Sequence, residues 1–222
     1  MIRRAITSKL HDSARSYPVV TVTGPRQSGK TTLVRAEFSA YDYVSLELPD
    51  QRSFALEDPR GFLAQFRGPV VLDEAQRAPE LFSYIQSIVD EAGKPGQFIL
   101  TGSRNFLLLQ SVSQSLAGRC AVLHLLPFSL YELSNRPAPA LEELGRDLYS
   151  SLQSPRLGLM ETLFTGFFPR IHDKCLPPRD WLANYYQTYL ERDVRNCPNE
   201  LRDRAAGVKP HPLDPIGTRA ES

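Results

Sequence analysis

Residues 19–34, VVTVTGPRQSGKTTLV, contain two glycines with four residues between them, followed directly by a lysine and two threonines. This spacing, G-x-x-x-x-G-K-[ST], is typical of a loop that binds phosphate groups. Such a loop follows a buried strand, turns backbone N–H groups inward and leads into a helix whose N-terminal N–H groups face the same anion. A chance glycine turn is the alternative. The β-branched residues before the loop and the helix-compatible residues after it favour phosphate binding.

The motif gives its residues distinct roles. Gly24 and Gly29 allow backbone angles that a side chain would block. Lys30 would place a positive charge on the β- and γ-phosphates of a nucleotide, and the Thr31 hydroxyl would bind Mg²⁺. The residues predicted to bind the nucleotide are Gly24, Pro25, Arg26, Gln27, Ser28, Gly29, Lys30, Thr31 and Thr32.

The composition sets limits on the class of protein. The chain has 222 residues, of which 41% are hydrophobic and 23% charged, as expected for a globular protein with one large domain or one domain plus an appendage. Its 26 basic and 25 acidic residues give a net charge of +1, which is no overall signature of nucleic-acid binding. The three cysteines, Cys120, Cys175 and Cys197, lack C-x-x-C spacing and argue against a disulfide framework or a zinc site. No signal peptide or membrane span is predicted, so we expect a cytoplasmic protein.

Hydrophobic patterns alternate between strand and helix along the first 133 residues. Short apolar runs predict strands near residues 17–23, 43–48, 70–72, 97–101 and 120–125. Helical patterns cover residues 2–16, 31–38, 79–92 and 106–119, and Asp58 with Pro59 predicts a capped helix start. This alternation predicts an α/β fold with a mostly parallel sheet between helices.

Two acidic residues, Asp73 and Glu74, directly follow the predicted strand at 70–72. Ligands bind at the carboxyl ends of parallel strands, where an acidic side chain can hold Mg²⁺. We therefore predict that Asp73 is a ligand of Mg²⁺ and that the Glu74 carboxylate accepts a proton from an attacking water. A capping Asp–Glu pair at the next helix is the alternative reading of this dipeptide.

Polar residues follow the predicted strand at 97–101. Ser103 is the strongest candidate to contact the phosphate or the attacking water, ahead of Arg104 and Asn105, with a plain turn as the alternative. Arg119 precedes the last predicted strand. It is either a solvated or paired surface charge, or an arginine finger that reaches the nucleotide of a neighbouring copy.

Three segments are predicted. Residues 1–133 form the phosphate-binding core, and residues 134–196 form a helical extension after a proline-rich linker. Within the extension, aromatic and aliphatic residues at helical spacing over 181–196 predict a packing face. Residues 197–222 have four prolines and no aromatic residue, which predicts a disordered tail.

The chain resembles prokaryotic P-loop ATPases of the AAA-like group that carry an uncharacterised C-terminal domain. The stretches that carry the resemblance are TGPRQSGKTTLV, VVLDEAQ, FILTGSRNFLLLQSVSQSLAGR, LLPFSLYEL and YLERDVRN, which together cover most of residues 17–196. Glu47 stands where such proteins usually have aspartate. The resemblance ends at Asn196, where they continue with a winged-helix-like segment and a further domain.

The resemblance implies an additional-strand ATPase core with ATP and Mg²⁺ as ligands. The implied site residues are Lys30 and Thr31 for phosphate and metal, Asp73 for Mg²⁺, Glu74 as catalytic base, Ser103 in the sensor region and Arg119 in the S-L-A-G-R stretch. Self-association through Arg119 follows as an expectation, whereas the protein or nucleic-acid partner stays unknown.

Four functions remain open on the sequence. Hydrolysis of ATP is the leading hypothesis, and a nucleotide-gated switch or scaffold with negligible turnover is the second. A small-molecule kinase shares the loop, but it would need an arginine-rich lid, and no concentrated arginine run is present. An inactive, truncated fragment is the fourth, because the expected C-terminal domain is replaced by the tail.

Overall fold

A computed structural model of the chain describes residues 2–103, 115–136 and 158–190. Its strands are Val19–Gly24 (β1), Asp42–Ser45 (β2), Val70–Asp73 (β3), Phe98–Ser103 (β4) and Cys120–His124 (β5). Its α-helices are Thr7–Ser16 (α1), Lys30–Glu37 (α2), Pro49–Glu57 (α3), Pro59–Ala64 (α4), Leu81–Ala92 (α5), Leu130–Leu133 (α6), Leu159–Thr165 (α7), Pro169–Lys174 (α8) and Pro178–Tyr185 (α9). A 3₁₀ turn spans Ala75–Arg77, and Tyr186–Leu190 is π-helical.

The five strands form one parallel sheet in the order β2-β3-β4-β1-β5. β4 therefore lies between β1, which leads into the phosphate loop, and β3, which ends at Asp73. This is the additional-strand arrangement that the sequence resemblance implied, and the predicted α/β fold is confirmed. All strands point the same way, so the ends of β1, β3 and β4 meet at one edge of the sheet.

Helices cover both faces of the sheet, and the strand residues alternate between the two sides. On one side, Val70 and Leu72 of β3 pack with buried residues of α3, α4 and α5. On the other side, Val71 of β3 packs with Val20 and Val22 of β1 and with buried residues of α1 and α2. The period of two in the strands explains how a continuous apolar run supplies both halves of the core.

Element boundaries differ from the sequence predictions by a few residues. β4 continues to Ser103, two residues beyond the predicted end, because Ser103 still pairs with Gly24 of β1. α5 begins at Leu81 rather than Pro79, since Pro79 and Glu80 lie in the turn that follows the 3₁₀ segment. The predicted cap at Asp58 is confirmed, because its carboxylate accepts a hydrogen bond from the Gly61 N–H at 2.9 Å.

The chain divides into one compact unit through Pro178 and a second from Arg179. In the described part of the second unit, Trp181, Tyr185 and Tyr189 stack in succession with centroid distances of 5.1 Å. Most of the predicted helix 106–119, much of the extension and the whole tail 197–222 lie outside the described residues. The boundary predicted at residue 134 stays a prediction. No described helix is long and apolar enough to cross a bilayer.

Candidate active site

The phosphate loop, residues 24–31, joins the end of β1 to the start of α2. Gly24 has a φ of 155°, and a Cβ at this position would overlap the backbone oxygen of Leu125. Gly29 precedes the first residue of α2 with a φ of 94°, a left-handed conformation that favours glycine. Both glycines of the motif are therefore required by the backbone. Of the other motif residues, Pro25 and Arg26 are half-buried, whereas Gln27 and Thr32 are exposed.

Lys30 is buried at the first position of α2, with 6% of its surface exposed. Its Nζ donates hydrogen bonds to the backbone oxygens of Gly24 at 3.0 Å and Pro25 at 2.9 Å. Burial lowers the pKa of Lys30, while the nearby carboxylates of Glu74 and Asp73 act in the opposite direction. The ammonium group thus rests on carbonyl oxygens of its own loop, close to where phosphate oxygens would bind.

The Ser28 side chain provides a test of whether the loop fits a phosphate group. Ser28 is fully buried, and its Oγ has no hydrogen-bond partner among the described residues. A buried hydroxyl without a partner is costly, and an incoming phosphate oxygen is a ligand that satisfies it. Together with the folded-back lysine, this hydroxyl fits a loop that closes on an anion.

Asp73, at the end of β3, is surrounded by three hydroxyl groups. Thr31 Oγ1 donates toward Oδ1 and Oδ2 at 3.1 and 3.0 Å, Tyr43 donates to Oδ2 at 2.8 Å, and Thr101 donates to Oδ1. Burial and the hydrogen bond to Asp73 raise the pKa of Tyr43 to about 12, so its hydroxyl keeps its proton. These contacts join the loop to β2, β3 and β4 around one buried carboxylate.

The donor set around Asp73 fits Mg²⁺. Hard oxygen ligands are what Mg²⁺ prefers, and it is commonly held by one or two protein oxygens together with nucleotide phosphates. Among the described residues, no cluster of three or more His, Cys, Asp or Glu could hold a metal. Asp73 and Thr31 would therefore share the ion with the phosphates rather than enclose it alone.

Glu74 follows Asp73 in a left-handed conformation, with φ 57° and ψ 43°. Non-glycine residues rarely adopt this conformation, and it sends the Glu74 side chain in a different direction from that of a regular strand residue. The amide nitrogen of Gln76 donates to Glu74 Oε2 and to Ser103 Oγ, the latter at 3.2 Å. The structure thus brings together Glu74 and Ser103, two of the predicted catalytic residues, through a third side chain.

Arg4, near the start of the chain, contacts the backbone of the phosphate loop. It is 7% exposed, and its Nη1 donates to the Ser28 backbone oxygen at 2.8 Å. Its Nη2 donates to the Leu126 oxygen at 2.6 Å, and its Nε pairs with Glu132 at 3.0 Å. The guanidinium also lies over the Phe128 ring, 4.8 Å from the centroid.

Arg119 lies away from this cluster. It immediately precedes β5, whose first residue pairs with Val19 at the start of β1, so it lies at the edge of the sheet opposite the phosphate loop. Its guanidinium forms a bidentate ion pair with Asp90 of α5, with distances of 2.5 and 2.8 Å. In this position Arg119 is remote from the loop of its own chain.

Sequence reasoning missed Tyr43, Thr101, Gln76, Arg4 and Glu132. Thr101 is the last residue of its predicted strand, where a polar side chain is a usable signal, whereas Tyr43 begins its predicted strand and carries no such signal. Gln76 lies two residues beyond Glu74 and could have been considered on proximity. The Arg4–Glu132 pair has no signal in a single sequence, because the two residues are 128 positions apart. The weaker candidates Arg104 and Asn105 lie outside the described residues.

Comparisons with known proteins bear on the family and the fold of the chain. The model of a family described as an AAA domain matches residues 16–134. Two uncharacterized proteins, from Mycobacterium bovis and Mycobacterium tuberculosis, are each 33% identical over 193 residues, which is 86% of this chain and 40% of each relative. The chain therefore spans less than half the length of these relatives. The fold is similar to that of a Walker-type ATPase of Pyrococcus abyssi, with a TM-score of 0.53, 17% identity, and coverage of 93% of this chain and 77% of that chain.

Proposed function

The chain belongs to the AAA domain family of P-loop ATPases, and from this premise we propose that it binds ATP with Mg²⁺ and hydrolyses the γ-phosphate. The observation that carries the proposal is the contact between Thr31 and Asp73. Thr31 Oγ1 lies 3.1 and 3.0 Å from the two oxygens of the Asp73 carboxylate, although the residues come from different elements. This convergence is what a shared metal site requires.

Nucleotide binding would change the partners of the loop residues. Lys30 would exchange the oxygens of Gly24 and Pro25 for phosphate oxygens, and Ser28 Oγ would gain a partner. Bound Mg²⁺ would neutralise charge on the β- and γ-phosphates. Thr31 and Asp73 would hold the ion, with Tyr43 and Thr101 keeping the carboxylate in place.

Glu74 would act as the base of the reaction. It would accept a proton from a water molecule whose oxygen bonds to the γ-phosphorus, while the bond from that phosphorus to the bridging β-oxygen breaks. The products are ADP and inorganic phosphate. Ser103, joined to Glu74 through Gln76, would contact the phosphate or the water.

Phosphate release by the purified chain, with and without Mg²⁺, tests the proposal. We expect turnover that stops when Mg²⁺ is chelated. Lys30→Ala should weaken ATP binding and abolish turnover, whereas Lys94→Ala, which replaces an exposed lysine, should change neither.

Glu74→Gln should bind ATP as wild type does and lose about 10²–10⁴-fold in kcat. Its control is Glu57→Gln, which replaces an exposed glutamate.

A nucleotide-gated switch with negligible turnover is the second candidate. The observation that favours it is the Gln76 hydrogen bond to Glu74 Oε2, because the amide occupies an oxygen that would otherwise accept a proton from water. Under this alternative, wild type and Glu74→Gln bind ATP equally and neither releases phosphate.

Arg119 would serve the nucleotide of a second copy, since it lies remote from its own loop. We expect Lys30→Ala and Arg119→Ala chains, each inactive alone, to regain activity when mixed, because one supplies the arginine and the other an intact loop. Mixtures that stay inactive would show that Arg119 pairs with Asp90 and does not act on a second copy.

We place the protein in the cytoplasm, where ATP and Mg²⁺ are present.

A further inference from the structure

The guanidinium of Arg4 is a buried group that the proposed reaction does not use. It contacts Glu132, the backbone oxygens of Ser28, Leu126 and Pro127, and the Phe128 ring. The planar guanidinium group carries several N–H donors and can contact all of these partners at the same time. The ammonium group of a lysine, at the end of a flexible side chain, cannot do so. Among these contacts, the Ser28 oxygen is the one that belongs to the phosphate loop.

The contact with Ser28 fixes the orientation of a peptide group. In a trans peptide the C=O of one residue and the N–H of the next point in opposite directions, and the structure has no cis peptide among its described residues. Because the Ser28 oxygen points to Arg4, the Gly29 N–H points away from it, to the other side of the loop. Backbone N–H groups on that side are the donors with which such a loop binds phosphate.

Glu132 keeps Arg4 in position. Its Oε1 accepts from Arg4 Nε at 3.0 Å and from the Ala5 N–H at 2.8 Å, and its Oε2 accepts from the Ser129 N–H at 2.7 Å. Both charged side chains are 7% exposed, so their pairing is shielded from solvent. The carboxylate is itself fixed by a capping box at the start of α6.

We propose that Arg4 is a positioning residue for nucleotide binding, which holds the Ser28–Gly29 peptide so that its N–H faces the phosphates, with Glu132 as its anchor. The inference rests on the proposed function of the loop and adds a determinant that lies outside the motif. It also links the loop physically to residues 126–132. If Arg4 had only a structural role, its substitution would lower the stability of the protein but leave the nucleotide affinity of the folded protein unchanged.

The test uses the full chain with Arg4→Lys and Glu132→Gln, and with Arg15→Lys as control, since Arg15 is an exposed arginine of the same N-terminal region. Calorimetric titration with ADP is performed at a temperature where circular dichroism shows each variant folded. We expect both variants to bind ADP about tenfold more weakly than wild type, because a hydrogen bond from a charged group is lost or loosened. The kcat at saturating ATP should change less than the affinity.

A second measurement needs no nucleotide. The ¹⁵N order parameter of the Gly29 amide should fall in Arg4→Lys, while those of β1 stay unchanged. Wild-type affinity and an unchanged Gly29 order parameter in folded variants would overturn the role of Arg4. If wild type itself binds no ADP, the proposed function fails, and the order parameter still decides whether Arg4 fixes the peptide.

Discussion

Gln76 shares one amide group between two residues of the site. Its nitrogen donates to the Glu74 carboxylate and to the Ser103 hydroxyl, which lie at the ends of neighbouring strands. Without this amide, the Glu74 carboxylate would sample other orientations, and an attacking water would be aligned less often. We therefore expect Gln76→Ala to lower kcat about tenfold to a hundredfold with unchanged ATP affinity. Steady-state kinetics and equilibrium binding measure the two effects separately.

The matched control for this residue is Gln51→Ala, which truncates a glutamine whose only side-chain bond among the described residues is to its neighbour Asp50. A Gln76→Ala protein with higher kcat than wild type would contradict the positioning role. It would indicate instead that the amide restrains the base.

Gly24 is the residue where β1 meets the phosphate loop. An added methyl group would overlap the backbone oxygen of Leu125, a residue held against β1 by a hydrogen bond from its N–H to the Thr23 oxygen at 2.7 Å. We expect Gly24→Ala to lower the free energy of unfolding by about 1–3 kcal/mol and to weaken ATP binding. Urea denaturation measures the first effect. Gly68→Ala is the control, since a Cβ there meets nothing within 4 Å, and equal stability of the two variants would contradict the expectation.

At the scale of elements, α4 depends on its N-terminal cap. The Asp58 carboxylate accepts the Gly61 N–H at 2.9 Å, and the helix then places Phe62 and Leu63 in the core. We expect Asp58→Ala to lower the free energy of unfolding by about 1 kcal/mol, as measured by urea denaturation. Asp58→Ser, which keeps a capping oxygen, should retain most of the stability. Equal losses in both variants would show that the cap is not the cause.

The strands and helices of the core could be predicted from the sequence because each is specified locally. The strands before Gly24 and Asp73 could be recognised from short continuous apolar runs, and the cap at Asp58 required only its own neighbours. The placement of Glu74 relative to Ser103 depended on β3 and β4 being adjacent, which the resemblance supplied. Arg4 could not be predicted, because its partners come from residues 28 and 126–132, brought near only by the complete fold.

At the scale of the whole molecule, the Arg4–Glu132 pair ties the first residues of the chain to the end of the core. Burial acts to raise the pKa of Glu132, but the Ala5 and Ser129 amides and Arg4 outweigh it and hold the pKa below its ordinary value of 4.5. A carboxyl with a depressed pKa contributes stability that is fully present above that ordinary value and is lost as pH falls through the depressed one.

We therefore expect Glu132→Gln to be less stable than wild type near neutral pH, with a difference that shrinks as the pH falls below 4.5. Chemical denaturation over a series of pH values measures the difference. Glu91→Gln, at an exposed position, should show no such trend. A difference that stays constant with pH would contradict the linkage.

The order of the strands has a consequence for synthesis on the ribosome. β1 is synthesised early, whereas both of its neighbours in the sheet, β4 and β5, are synthesised late. Arg4 likewise cannot pair with Glu132 until a further 128 residues have been synthesised. At about 5–20 residues per second, that interval lasts roughly 6–26 s. In the first part of this interval, before β4 is made, β1 is an apolar strand with both edges unpaired. We therefore expect nascent chains of this protein to bind chaperones that shield apolar segments, and the contacts around the phosphate loop to form only when the core is almost fully translated.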